Sequence, residues 1–198
     1  MLAVALPNES RLPGTAEEIE RITKYADQFQ VLRLLESEAV PERVADAMKA
    51  SNWVHFACHG MQNSSNPMES CLLLAGNSRL TLSKIIELHL ESAELAFLSA
   101  CETALGDKTL EEEVVHLAAG MLLAGYPSVI ATMWKIDDDI AVEVADETYR
   151  RLFKEYDADH THAAQALHFA VKQIREDRVA KRKALPLFSW VPFIHIGH

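Results

Sequence analysis

Two kinds of segment alternate along this chain. Short, nearly unbroken apolar runs bounded by turn residues read as buried strands: Leu2–Leu6, Phe29–Leu35, Trp53–Cys58, Cys71–Ala75, Leu95–Ala100, Pro127–Trp134 and Phe193–Ile196. Between them lie longer segments with helical spacing. Thr15 can cap a helix reaching about Gln28, with Glu17 and Glu18 in the first turn, where the helix dipole favours acid. Pro41 suits the first turn of a helix whose apolar face is Val44, Ala47 and Met48. Further helices are expected over Thr81–His89, from about Leu110 to Ala124, over Asp139–Tyr156 and over His162–Arg178. The mixed-charge run Arg175–Lys183 reads as a solvated helix end and loop. Strands that alternate with helices predict an α/β fold in three layers, with a largely parallel sheet covered on both faces.

The 21 residues from Val114 to Trp134 contain no Asp, Glu, Lys or Arg, which is the length of a membrane-spanning helix. Gly125-Tyr126-Pro127 interrupts that run after its eleventh residue. Gly125 suits a left-handed helix cap, and Pro127 cannot continue a helix without losing a hydrogen bond. The β-branched Val129, Ile130 and Thr132 that follow favour a strand. A buried helix, a turn and a buried strand are therefore expected, not a membrane span.

Composition narrows the function classes. The chain has 198 residues with 19 Lys and Arg against 29 Asp and Glu, a net charge of −10. A surface so acidic does not suit general binding to nucleic acid or anionic membranes. The length suits one domain, and neither an internal repeat nor a Ser/Gly/Pro-rich linker divides it. Three irregularly spaced cysteines, Cys58, Cys71 and Cys101, form neither a disulfide framework nor a CxxC metal pair. Reduced thiols in the cytoplasm are expected, and M-L-A-V-A-L-P-N-E-S lacks the basic start of a signal peptide.

In parallel sheets ligands bind outside the carboxyl ends of the strands, so what ends each strand matters. Trp53–Cys58 ends at His59-Gly60, Leu95–Ala100 at Cys101, and Pro127–Trp134 runs on to Asp137-Asp138-Asp139. A His and a Cys at strand ends are the minimum for a thiol nucleophile. The imidazole takes the thiol proton and returns it to a leaving amine. Gly60, lacking a Cβ, lets a carbonyl approach the backbone, and the amides of Gly60 and Cys101 can form an oxyanion hole. Buried, inert packing is the default for any cysteine, and spacing alone does not lift Cys101 above it. Cys58 and Cys71 read as structural, and alternation places His55 on the face of His59, either as a support for it or, more simply, as a half-buried strand residue.

The segments V-H-F-A-C-H-G (54–60), F-L-S-A-C-E-T (97–103) and V-I-A-T-M-W (129–134) resemble the CHAT domain, the caspase-like module associated with tetratricopeptide repeats. The resemblance runs from L-P-G-T-A-E-E (12–18) through E-V-V-H-L-A-A-G-M-L-L-A-G-Y (113–126) to W-V-P-F-I-H-I-G (190–197) and implies a single such domain over residues 1–198. The wording looks most like the fungal branch. The resemblance implies a caspase-like three-layer α/β/α sandwich with the endopeptidase dyad His59–Cys101. It matches Gly60 to the glycine after the His, Glu113 to an acidic position opening the helix after the Cys loop, and Asp138 to an acidic position after the third motif. It also implies a protein or peptide substrate, a tetratricopeptide-repeat or other sensor module as partner, roles in defence or regulated cell death, and no cofactor.

A basic side chain before the scissile bond requires a carboxylate to offset its desolvation. Asp138 is a candidate for that pocket, with Glu102 next to the nucleophile as another. Against this, an Asp at this position caps a helix equally well. His160 and His162 form H-x-H without further clustered ligands, so no metal site is expected. Two alternatives to an endopeptidase stay open: a non-catalytic adaptor module and another thiol enzyme such as an acyltransferase.

Overall fold

All four residues of the first strand are buried, which requires a layer packed on each face of the sheet. The computed structural model of the protein describes residues 1–6, 8, 13–26, 29–63, 65–99, 115–134, 136–181 and 187–198. In chain order the elements are β1 (Leu2–Ala5), α1 (Gly14–Thr23), β2 (Leu32–Leu35), α2 (Pro41–Lys49), β3 (Trp53–Ala57), β4 (Gly60–Met61), β5 (Cys71–Leu74), β6 (Ser78–Thr81), α3 (Leu82–Ile86), β7 (Leu95–Leu98), α4 (Val115–Ala124), β8 (Ser128–Thr132), α5 (Asp138–Lys154), α6 (Ala163–Ala180), α7 (Leu187–Trp190) and β9 (Phe193–Gly197).

Six strands form the central sheet in the order β2-β1-β3-β7-β8-β9. Its first five strands are mutually parallel, and β9 closes one edge antiparallel to β8. Side-chain alternation divides the core into two layers. Leu2, Val4, Val54, Phe56, Ala96, Leu98 and Val129 share one cluster with the buried faces of α2, α3 and α4. Ala3, Ala5, Trp53, Ala57, Leu95, Phe97 and Ile130 share the other with α1, α5 and α6. The α/β class, the three layers and the largely parallel sheet are as expected.

The apolar stretch before Trp134 is helix α4, a cap and strand β8. Tyr126 N–H donates to Met121 O at 3.1 Å and Gly125 N–H to Leu122 O at 3.1 Å, the paired bonds of a Schellman cap. Gly125 holds a φ of 120°, and a Cβ there would meet Leu90 O at 2.5 Å. Among the described residues no helix is long and apolar enough to cross a membrane.

Several boundaries differ from expectation. Helix α1 ends at Thr23 rather than near Gln28: Tyr25 and Ala26 donate three residues back, to Ile22 O and Thr23 O, and the helix tightens into a turn. Helix α3 stops at Ile86 because His89 has a φ of 47°, outside the helical region. Strand β2 begins at Leu32, and Phe29 packs on Phe153 instead, with ring centroids 5.1 Å apart. Helix α6 continues to Ala180, through much of the run read as a helix end. Residues 60–81 hold a separate antiparallel sheet, β4-β5-β6, where the sequence predicts only the strand Cys71–Ala75.

His55 is fully buried, not half-buried. Its Nε2 lies 3.0 Å from Oε1 of the equally buried Glu18, without the alignment of a hydrogen bond. Its Nδ1 lies 3.3 Å from the Tyr149 hydroxyl, and Phe97 packs on the ring at 4.9 Å. One polar group each from α1, β3 and α5 thus meets inside the second layer. Burial, with the Glu18 carboxyl adding to it, raises the Tyr149 phenol well above its ordinary value, so the phenol stays a neutral donor. Removing one member leaves buried polar atoms unmatched, at about 1–3 kcal/mol each. Glu18→Leu and His55→Phe are each expected to lower the unfolding free energy from urea denaturation by that order. The double variant should lose less than the two added together, which a double-mutant cycle measures.

At the sheet edge, His195 Nε2 lies 2.8 Å from Ser128 Oγ. Burial pushes the imidazole below its ordinary value of 6.5. Below that pH the unfolded chain binds the proton more readily than the folded one, so stability falls as pH falls. The loss is expected to begin near pH 6.5 and to level off below the folded value. In His195→Gln that part of the pH dependence should vanish from denaturation midpoints.

Candidate active site

The carboxyl ends of β3 and β7 are neighbours in the sheet. Register pairs His55 with Phe97 and Phe56 with Leu98. His59 lies three positions beyond Phe56, and Cys101 lies three beyond Leu98. Parallel pairing therefore brings the ends of β3 and β7 to the same edge of the sheet. Cys101, with Glu102 and Glu113, lies outside the described residues, and β7 is followed only as far as Ser99.

The chain at His59 is held by the small sheet that begins there. The His59 carbonyl accepts from Leu73 N–H at 2.8 Å, and β4 then pairs Gly60 with Leu72 and Met61 with Cys71. The His59–Leu73 bond makes Gly60–Leu72 a non-hydrogen-bonded pair, so the Gly60 N–H points away from β5. His59 is half-buried and Gly60 buried. A short hairpin next to the main sheet thus sets both the imidazole-bearing residue and the direction of the amide after it. Two-residue β4 is too short for hydrophobic alternation to announce it.

The other two thiols have been disarmed by their surroundings. Cys58 and Cys71 are both fully buried. Burial, with the neighbouring Cys71 adding to it, pushes the Cys58 thiol up to about 12. At pH 7 such a thiol is ionised in about one molecule in 100,000. Burial likewise raises Cys71, with Arg79 working against the rise. Cys58 packs in the α2/α3/α4 layer, opposite to the layer of Ala57.

Helices α1 and α5 begin on this edge and touch there: a Cβ on Gly14 would lie 3.1 Å from the Asp138 Cβ. Asp138 is the first residue of α5, with Asp137 at the capping position. Its carboxylate in the first turn complements the helix dipole. Asp139 is drawn elsewhere, to Arg178 at 2.9 Å. Asp138 is the half-buried member of the three acids, flanked by two exposed ones.

Two hydroxyls on this edge went unnoticed in the sequence. Ser99 and Thr132 are each 4% exposed, and neither hydroxyl has a hydrogen-bond partner among the described residues. Register pairs Leu98 with Ala131, so both lie one residue beyond that pair, on neighbouring strands. Phe97 and Ile130 face the α1/α5 layer, and alternation puts Ser99 and Thr132 on the same side. In the sequence each sits at a strand end, in F-L-S-A-C-E-T or V-I-A-T-M-W, where a buried hydroxyl has no packing advantage over alanine. Among the described residues no three of His, Cys, Asp and Glu cluster as a metal site. His162 of the H-x-H pair stacks on Tyr156 at 4.5 Å.

The fold is similar to that of the Arg-specific cysteine proteinase gingipain R (RGPB), at 15% identity and a TM-score of 0.54, covering 99% of this chain and 45% of that one. A complex of Porphyromonas gingivalis RgpB pro- and mature domains matches at 16% identity and a TM-score of 0.48, over 77% and 37% of the two chains. Protein GSU0716 from Geobacter sulfurreducens matches at 11% identity and a TM-score of 0.44, over 84% and 87%. The chain spans less than half the length of either gingipain chain. No curated protein matches the sequence. The likeness to gingipain R shows a caspase-like α/β fold. The family described as CHAT domain matches residues 1–198, and the chain belongs to that family.

Proposed function

We propose that this domain is a cysteine endopeptidase in which Cys101 is the nucleophile and His59 its proton acceptor. The observation that carries the reading is the parallel β3–β7 pairing, with His59 and Cys101 each three positions beyond the pair Phe56–Leu98. The deep burial of the other two cysteines supports it, since neither holds useful thiolate at neutral pH.

The chemistry follows from those roles. The Cys101 thiol passes its proton to His59, and the sulfur attacks the scissile carbonyl carbon. The oxyanion takes hydrogen bonds from the amides of Gly60 and Cys101. The carbon–nitrogen bond breaks as His59 returns the proton to the leaving amine. A water deprotonated by His59 then attacks the thioester, releasing the acid and the thiol. In a peptide substrate, a Lys or Arg before the cut would be met by carboxylates from Asp138, Glu102 and Glu113. Gingipain R, whose fold is similar, is itself an Arg-specific cysteine proteinase. Control by a tetratricopeptide-repeat or other sensor module, and a cytoplasmic setting that keeps Cys58 and Cys71 reduced, complete the proposal.

Iodoacetamide labelling read by peptide mass separates this from an adaptor role, because it needs no activating partner. Cys101 is expected to react at pH 7 at least 10-fold faster than an unactivated thiol. His59→Ala should remove that advantage, while Cys58 and Cys71 stay unlabelled in the folded protein. Equal slow labelling of all three, unchanged by His59→Ala, would leave the adaptor reading standing. For specificity, Asp138→Asn is expected to reduce the preference for Lys or Arg over Leu at least 10-fold in a peptide library. An unchanged preference would return Asp138 to its helix-dipole role alone.

A further inference from the structure

The charge of this chain is unevenly placed. Residues 1–162 carry 13 Lys and Arg against 27 Asp and Glu, a net of −14. Residues 163–198 carry six against two, a net of +4. This basic part of the sequence includes α6, α7 and β9, the last two helices and the edge strand of the central sheet. Between them runs a groove of about 1000 Å³ that follows α6 from Ala164 to Ala180.

The groove is apolar with a cationic rim. Leu167, Val171, Val179, Trp190 and Phe193 line it, and Val179 is 75% exposed. Arg175 lies over the Trp190 ring at 4.2 Å, and has no carboxylate within ion-pair reach among the described residues. Lys172 has Glu176 at 4.0 Å, with both side chains more than half exposed, so that contact does little to neutralise it. Arg178, by contrast, is committed to Asp139 and Glu143, each at 2.9 Å.

β9 pairs with β8 on one edge, and no strand pairs with its other edge among the described residues. Its sequence, Phe193-Ile-His-Ile-Gly197, carries no Lys, Glu or Pro, the residues that normally blunt a free edge. Alternation gives it side chains on both faces. Phe193 and His195 line the groove, and Ile194 and Ile196 sit half-buried against the opposite layer. An added strand would therefore find main-chain partners along β9 and apolar contacts on both sides.

From this we infer that β9 and α6 form a docking site for an extended acidic segment of another protein. That segment adds a strand to β9, seats alternate apolar side chains in the groove, and sets carboxylates against Lys172 and Arg175. Charge selects this occupant over a second copy of the chain. A two-fold pairing of β9 on β9 would bring the cations of one α6 toward those of the other, between bodies that each carry −10. The inference does not depend on the peptidase reading, since none of its residues belongs to the proposed dyad or oxyanion hole.

Fluorescence anisotropy with two labelled nonapeptides tests it, one alternating Glu with Val and the other alternating Lys with Val. The full chain is expected to bind the Glu peptide at least 10-fold more tightly than the Lys peptide. The Glu peptide should also slow hydrogen exchange at residues 193–197. Lys172→Glu/Arg175→Glu, both at exposed positions, should reverse the preference while leaving the circular dichroism spectrum unchanged. Equal affinity for both peptides, or tighter binding of the Glu peptide that survives the double substitution, would overturn the inference. So would sedimentation of the free chain as a dimer that Arg175→Glu dissociates, because a second copy would then be the occupant.

Discussion

The parallel pairing of β3 with β7 is the contact on which the rest of the molecule depends, because two distant parts of the sequence become neighbours only through it. His59 and Cys101 are 42 positions apart in the chain. Register brings the strands before them together without any turn between, with a whole small sheet and helix α3 in the connection. That connection must leave from and return to opposite ends of the strands, as parallel crossovers do. The layers on either side then follow from alternation: one parity of β3 and β7 needs α2, α3 and α4, and the other needs α1, α5 and α6. Breaking the pair would separate the two segments and also divide both cores.

The second layer is not uniformly apolar, and its exception sits on β3 itself. Glu18, His55 and Tyr149 place polar groups of three elements at one buried point. Apolar packing tolerates small sliding of a helix over a sheet, whereas three buried polar groups in contact tolerate little, since a displaced member loses the contact that offsets its burial. The consequence is positional. Helices α1 and α5 both begin on the carboxyl edge, touching at Gly14 and Asp138. The buried contact holds those two helices against the strand that leads to His59.

Much of this architecture was legible in the sequence because its signals are long or strongly patterned. The strand Trp53–Ala57 and the helix Asp138–Lys154 have enough residues for burial to show as a run or a stripe. The break at Gly125 was legible because glycine there answers a backbone demand, a positive φ beside the Leu90 carbonyl. The β4-β5-β6 sheet was not, because a two-residue strand has no period, and the turn at Gly76-Asn77 reads alike whether a hairpin or a loop follows. His55 misled for a different reason. Local polarity marks a strand residue as half-exposed, and only the tertiary arrival of Glu18 and Tyr149 makes full burial affordable. The candidate site was legible as the ends of strands, while the hydroxyls of Ser99 and Thr132 needed the register that makes them neighbours.

Net charge also changes meaning once it is placed on the fold. A total of −10 argues against a phosphate backbone as ligand, yet it is the sum of an acidic body of −14 and a basic segment of +4. Arg178 shows how the two are joined: it ties α6 to the first two turns of α5 through Asp139 and Glu143. Having spent that one cation internally, the segment still presents Lys172 and Arg175 beside an open strand edge. Natural sheets close their edges with charge or proline on the strand itself. Here the charge stands on the neighbouring helix instead, where it leaves the edge available and restricts what can use it.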